Sequence, residues 1–278
     1  MPNDDTVPSM RQFLVRQHTK SGIGRKTDLV AIEEPLEIRI SYSFKQVRRT
    51  EHAAVTMRTP GNEKELAMGF LLSEGLIARR EDVIDVRLLG DSGRNELLVE
   101  LAPDVDIERW HLARATLMNS ACGLCGKKTI EQIAKADRIE ECSFTVSADL
   151  VYRLPSLLEP SQSGFSKTGG LHAAAIVSAE GELHSVFEDV GRHNALDKLI
   201  GNCLLSGLLP LQRKLIVMTS RASFEVVQKA LAARCEMLVT IGAPSSLAID
   251  FARDRGITLA GFVRDTRFNV YSGEWRIR

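Results

Sequence analysis

Several things are scarce or missing in this chain, and each absence removes a class of protein. Net charge is absent: 36 basic and 36 acidic residues balance over 278 positions, so no global field draws the chain to nucleic acid and any anion site must be local. No apolar run approaches the length of a membrane span. The first 28 residues hold Pro2, Pro8 and scattered cations without the apolar segment of a secretory signal, which leads us to expect a cytoplasmic protein with a disordered tail over 1–28. Cysteine is sparse, five in all, too few for a disulfide scaffold in a chain of this length. Internal repeats and low-complexity tracts are also missing. What remains, 44% hydrophobic and 26% charged, is the composition of a globular protein with room for two domains.

Two of the five cysteines stand together, in Asn119-Ser120-Ala121-Cys122-Gly123-Leu124-Cys125-Gly126-Lys127-Lys128. A nucleophilic or sulfur-carrying cysteine must be a thiolate, and two following cations favour that form. The helix suggested by 128–134 would present N–H groups to it as well. Gly123 and Gly126 remove bulk and allow a large partner to approach an open loop. Zinc is the sharpest rival, but a closed site takes four ligands and no second C-x-x-C, C-x-x-H or H-x-x-x-H pair occurs. The zinc deaminase signature fails too, since Ala121 precedes Cys122 and no H-x-E lies upstream. A thioredoxin-type pair belongs at the start of a helix directly after a strand, a poor match to this context. Cys203 and Cys235 lie in apolar surroundings and read as inert buried thiols; Cys142 stands alone.

Periodicity divides the rest. Residues 29–105 read as a small α+β domain, with strands around Leu36–Ile40, Ala53–Arg58, Val83–Leu89 and Glu96–Leu101. Its helix would be capped by Asn62 with Glu65 at capping-box spacing and stopped at Gly75. Residues 106–170 read as linking helices with the mobile thiol loop at 119–128, a helix over 109–115, another capped by Ser147, and a flexible Ser/Gly/Pro connection at 160–170. From 171 to 278 strands and helices alternate regularly, which predicts parallel crossovers in a three-layer α/β/α domain. In such sheets ligands gather beyond the carboxyl ends of strands, near exposed helix N-termini. Three strand ends carry suitable residues: Ser220-Arg221-Ala222-Ser223, Gly242-Ala243-Pro244-Ser245-Ser246, and Arg264-Asp265-Thr266-Arg267. Each alone is as consistent with an ordinary surface turn; their coincidence favours a phosphate-rich ligand. In Glu188-Asp-Val-Gly-Arg-His-Asn194, Asp189 is placed to cap a helix or to orient His193 as an acid or base. His172, after Gly169-Gly170-Leu171, is placed either to reach the site or to sit in the core.

Taken together, Cys122-Gly-Leu-Cys-Gly, Gly170-Leu-His-Ala-Ala-Ala, Glu188-Asp-Val-Gly-Arg-His-Asn-Ala-Leu-Asp-Lys, Ser220-Arg-Ala-Ser-Phe-Glu-Val-Val-Gln-Lys, Gly261-Phe-Val-Arg and Gly69-Phe-Leu-Leu-Ser-Glu-Gly resemble the FdhD family of formate dehydrogenase accessory proteins, from about residue 30 onward. The resemblance implies a sulfurtransferase that takes persulfide sulfur from a cysteine desulfurase. It would pass that sulfur to the molybdenum cofactor, as its bis-molybdopterin guanine dinucleotide, for the formate dehydrogenase catalytic subunit. It implies that Cys122 carries the persulfide and Cys125 assists, that the guanine-dinucleotide segment is Phe262-Val263-Arg264-Asp265-Thr266-Arg267, and that the larger domain is similar in fold to cytidine deaminases. Asp265-Thr266 departs from the smaller residues expected there. Arg221, Ser223, His172 and His193 complete the expected cofactor-binding set, with no metal of the protein's own. A homodimer is a further expectation, since a helix such as that over 224–233 can bury its apolar face in the core or in a second copy. The readings to be weighed against sulfur transfer are a non-covalent cofactor chaperone and a zinc-dependent deaminase-like hydrolase.

Overall fold

The computed structural model describes residues 9–89, 95–107, 138–139 and 144–278. The thiol loop with Cys122 and Cys125, Cys142 and the expected helices over 109–115 and 128–134 lie outside these residues.

The chain opens with an antiparallel hairpin, β1 (Met10–Thr19) and β2 (Gly22–Ala31), that forms a sheet of its own. The expectation of disorder through residue 28 is thus corrected from Met10 onward: β-branched and aromatic residues interleave with polar ones, and a turn at Lys20-Ser21 closes the pair. A second sheet, of four strands, is ordered β4-β3-β6-β5 from β3 (Glu34–Phe44), β4 (Val47–Arg58), β5 (Val83–Leu88) and β6 (Glu96–Leu101). Helix α1 (Glu63–Ser73) lies on it, stopped by Gly75 at φ 72°. Asn62 does stand at its N-cap, but in the left-handed region at φ 60° and without a side-chain cap bond. Glu63 instead accepts from the Gly61 N–H at 2.8 Å, so the expected capping box with Glu65 does not form.

The third sheet has six strands ordered β12-β11-β10-β9-β7-β8: β7 (His172–Ser178), β8 (Leu183–Asp189), β9 (Lys214–Met218), β10 (Met237–Thr240), β11 (Thr258–Arg264) and β12 (Arg267–Ser272). Only β9, β10 and β11 run parallel; β8, β7 and β12 are antiparallel to their neighbours, so the sheet is mixed where uniform crossovers were expected. One face carries Ala175, Val177, Leu215, Val217, Val239 and Ala260 against helix α2 (Ala148–Leu158), which Ser147 caps by accepting from Leu150 N at 3.1 Å. The opposite face carries Ile176, Ile216, Leu238 and Leu259 against α4 (Arg192–Leu205), α5 (Phe224–Ala232) and α6 (Ser246–Arg255). Three layers result, as the alternation predicted. The connection at 160–170 is more ordered than expected. It forms the short helix α3 (Ser163–Thr168), whose Gly164 and Phe165 N–H groups donate to the Glu188 carboxylate, each at 2.8 Å.

The four-stranded and six-stranded sheets contribute to one buried cluster. Helix α1 crosses α4 so closely that a Cβ on Gly69 would lie 1.9 Å from the Asp197 carbonyl oxygen, and one on Gly201 would lie 1.8 Å from that of Glu65. Leu66, Met68 and Leu71 of α1 and Leu196, Leu199 and Ile200 of α4 therefore belong to a single buried cluster. Division at residue 105 describes the topology and not the packing.

Candidate functional site

Strand β7 runs antiparallel to β9, so its first residue lies where the parallel strands end. His172, the loop after β9, the loop after β10 and the end of β11 therefore follow one another along a single sheet edge. At about 4.8 Å between strands this edge is on the order of 15 Å long. Backbone bonds zip its loops together: Gly242 N–H donates to the Ser220 carbonyl at 3.1 Å, Ala222 N–H to Ala243 at 3.1 Å, Ser245 N–H to Ala222 at 2.9 Å, and Phe262 N–H to Gly242 at 3.1 Å. Gly242 is required there, because a Cβ would come within 2.8 Å of Arg221 N.

Two guanidiniums and an imidazole gather at one end of this edge. His172 is half-buried, and its imidazole titrates below the ordinary value because burial disfavours the cation and because Arg192 and Arg221 add positive charge nearby. Arg192 opens α4 and was passed over in the sequence, where Asp189 and His193 of the same motif drew attention. Its Nε is buried without a hydrogen-bond partner, and among the described residues neither Arg192 nor Arg221 has a carboxylate partner. Ser223, at the N-cap of α5, makes no cap bond, and its Oγ is also buried and unpartnered. Unmatched positive charge, a spare hydroxyl and two helix N-termini at one strand edge are the donor set of an anion site. The residues present fit a phosphate-bearing group.

The other predicted residues separate. His193 is held by Glu225, with Nδ1 to Oε1 at 3.5 Å, and beyond it Glu225 reaches Lys229 at 3.9 Å. Asp189 neither caps α4 nor touches His193. It is fully buried, takes Lys198 Nζ at 2.7 Å, and accepts from Thr59 N, Gly191 N and Asn194 Nδ2. That carboxylate ties the four-stranded sheet to α4 and serves the scaffold.

The segment 262–267 is not a strand-to-helix turn. Asp265-Thr266 is the two-residue tip of the β11–β12 hairpin, which sets Arg264 directly opposite Arg267. Phe262 is exposed at φ 53°, Val263 is buried against α2, and Arg264 donates to the carbonyls of Ile241 and Val263, both at 2.7 Å. Asp265 accepts from Ser156 of α2 at 3.2 Å, so it is drawn off toward α2. Thr266 is exposed at the tip. The hairpin thus offers Phe262, Arg264 and Arg267 at the far end of the edge that begins at His172.

Cys203 and Cys235 lie in the core, where burial pushes both thiols up to about 12. Among the described residues no group of three or more His, Cys, Asp or Glu side chains is placed to hold a metal.

The model of the FdhD/NarQ family matches residues 31–278. The chain belongs to that family. It is 42% identical over 268 residues to the sulfur carrier protein FdhD of Nocardia farcinica, covering 94% of this chain and 92% of that one. It is 40% identical over 271 residues to that of Sulfurisphaera tokodaii, covering 98% and 99%, and 39% identical over 274 residues to that of Mycobacterium tuberculosis, covering 95% and 96%. Among solved structures it matches a crystal structure assigned to a formate dehydrogenase accessory protein of Desulfotalea psychrophila, with a TM-score of 0.74 at 22% identity, covering 98% of this chain and all of that one. This last likeness concerns the fold. No helix among the described residues is long and apolar enough to cross a membrane.

Proposed function

We propose that this chain is a sulfur carrier serving formate dehydrogenase, acting as a sulfurtransferase through a persulfide on Cys122. The observation that carries the reading is its likeness over nearly its whole length to relatives named sulfur carrier protein FdhD. In the transfer step the Cys122 thiolate attacks the terminal sulfur of the persulfide on a cysteine desulfurase. The donor's S–S bond breaks, a new S–S bond forms on Cys122, and the donor cysteine leaves as a thiolate, so no external oxidant or reductant enters. Lys127 and Lys128 follow the pair in sequence and favour the thiolate. Cys125 assists release.

The acceptor is the molybdenum cofactor as its bis-molybdopterin guanine dinucleotide, a substrate rich in phosphate. The unmatched charge of Arg192 and Arg221, the unpartnered Ser223 hydroxyl, and the Arg264/Arg267 hairpin tip with Phe262 support a site for it along the sheet edge. Arg192 and Arg221 hold phosphate, while Phe262 offers an exposed ring for stacking on a base.

Incubation with cysteine and a cysteine desulfurase, followed by intact-protein mass spectrometry, tests the reading. Wild type gains one or more sulfur atoms, and Cys122→Ala gains none. Unchanged loading of Cys122→Ala overturns the assignment of the carrier. Full rescue of formate dehydrogenase by Cys122→Ser/Cys125→Ser would point instead to a non-covalent cofactor chaperone.

A further inference from the structure

Most residues of the hairpin β1–β2 are exposed. It is a two-stranded sheet of ten residue pairs, about 33 Å long, and such a ribbon is marginal in water unless a face is covered. Its base is seated: β2 packs on α3, Leu29 and Ala31 are half-buried, and a Cβ on Gly170 would lie 3.7 Å from that of Ala31. The rest carries exposed apolar residues, with Leu14 at 68% and Ile23 at 57% exposure.

The register makes one face unusual. Arg16 pairs directly with Arg25, and like charges directly opposite one another destabilise an antiparallel pair. Alternation puts Leu14 before this pair and Ile23 after it on the same face, giving an apolar–cationic–apolar strip. The hairpin as a whole holds Arg11, Arg16, Lys20, Arg25 and Lys26 against Asp28 alone, in a chain with no net charge overall. A cover with carboxylates set among apolar residues would neutralise the Arg16–Arg25 pair and bury Leu14 and Ile23 at once.

The position of the base says where such a cover would stand. Gly170 lies two residues before His172, at the start of β7, so the arm rises from the rim of the anion-binding edge. A protein docked on it is brought beside the sheet edge where the cofactor site is proposed. We infer that β1–β2 is a docking arm for an acidic, partly apolar surface of the protein that receives the cofactor, which on the reading above is the formate dehydrogenase catalytic subunit. The inference rests on that reading for the identity of the partner and on the hairpin for the surface.

The test is the affinity of the full chain for the isolated formate dehydrogenase catalytic subunit, measured by calorimetry at low and high salt. Arg16→Glu/Arg25→Glu and Leu14→Ser/Ile23→Ser should each weaken binding by about ten-fold or more, and wild-type affinity should fall with added salt. Arg16→Lys/Arg25→Lys should retain most of the affinity. All three should keep wild-type thermal unfolding and wild-type sulfur loading by the desulfurase. Wild-type affinity in both disruptive variants overturns the arm and leaves the sulfur-carrier reading standing; no binding by wild type overturns the recipient and the arm with it. Loss of self-association in the variants by sedimentation, with subunit binding intact, would assign the arm to a second copy instead. Loss of binding to phosphatidylglycerol vesicles alone would assign it to a lipid surface. Either outcome overturns the inference.

Discussion

Lys198 Nζ lies 2.7 Å from Asp189 Oδ2 at a junction where both side chains are withdrawn from water. The ammonium also donates to the Thr59 carbonyl at 2.9 Å, and Asp189 takes the Thr59 N–H at 3.1 Å, so both ends of the pair are anchored to the residue that follows β4. The Glu188–Asn194 motif therefore fastens the four-stranded sheet to α4, and by holding α4 it fixes where Arg192 stands.

Removing one partner strands the other as a buried charge. Asp189→Asn or Lys198→Met should each cost about 3–5 kcal/mol of folding stability, and the double variant should cost less than the sum. Denaturant unfolding of the four proteins checks the cycle, with equal slopes required for comparison.

The α1–α4 crossing depends on two glycines for the same positioning. Gly69→Ala and Gly201→Ala each place a methyl group inside a backbone carbonyl contact, at 1.9 and 1.8 Å, so the helices must part. Each should lose about 3 kcal/mol or more, because rigid backbone must move and the Leu66, Leu71, Leu196 and Ile200 packing opens with it. Thermal unfolding would show the loss, and midpoints within a degree or two of wild type would contradict the crossing.

Alkylation should sort the five cysteines. Burial raises the Cys203 and Cys235 thiols to about 12, so neither forms thiolate near neutral pH. Peptide mapping after iodoacetamide treatment of the folded protein at pH 8 should find both unmodified, and denaturant should expose them. Label on either in the folded state would contradict its burial.

Much of this was legible in the sequence because the residues concerned obey local rules. The alternation from Leu171 onward placed β7 to β11 and their helices, and Ser147 capped its helix as its position promised. What escaped was set by distant partners. Residues 10–28 read as part of a polar tail because a ribbon with two wet faces lacks a buried stripe, and β12 was missed because Asp265-Thr266 turns the chain back where the sequence marked only a strand end. Asp189 and Arg192 exchanged roles for the same reason: only the fold shows that Thr59 and Lys198 claim the carboxylate while no carboxylate among the described residues claims the guanidinium.

That guanidinium, with His172 beside it, gives the proposed anion site a pH signature. In the free protein the His172 imidazole is held below its ordinary 6.5 by burial and by Arg192 and Arg221, so the fold favours its neutral form. Stability should then decline as pH falls from 6.5 toward the depressed value and level off below it, since in that interval the unfolded chain binds the extra proton. A phosphate seated between the guanidiniums reverses the local charge and raises the imidazole, so binding takes up a proton and affinity rises as pH falls through the same interval. Calorimetry with GDP as the probe should show this dependence in wild type, reduced in His172→Gln to what the ligand's own phosphate titration contributes. Arg192→Gln should weaken GDP by about ten- to a hundred-fold, the loss of a charge-assisted hydrogen bond, while sulfur loading of Cys122 stays intact. Equal GDP affinity in Arg192→Gln and wild type would remove Arg192 from the site, and a pH profile identical in His172→Gln and wild type would remove His172.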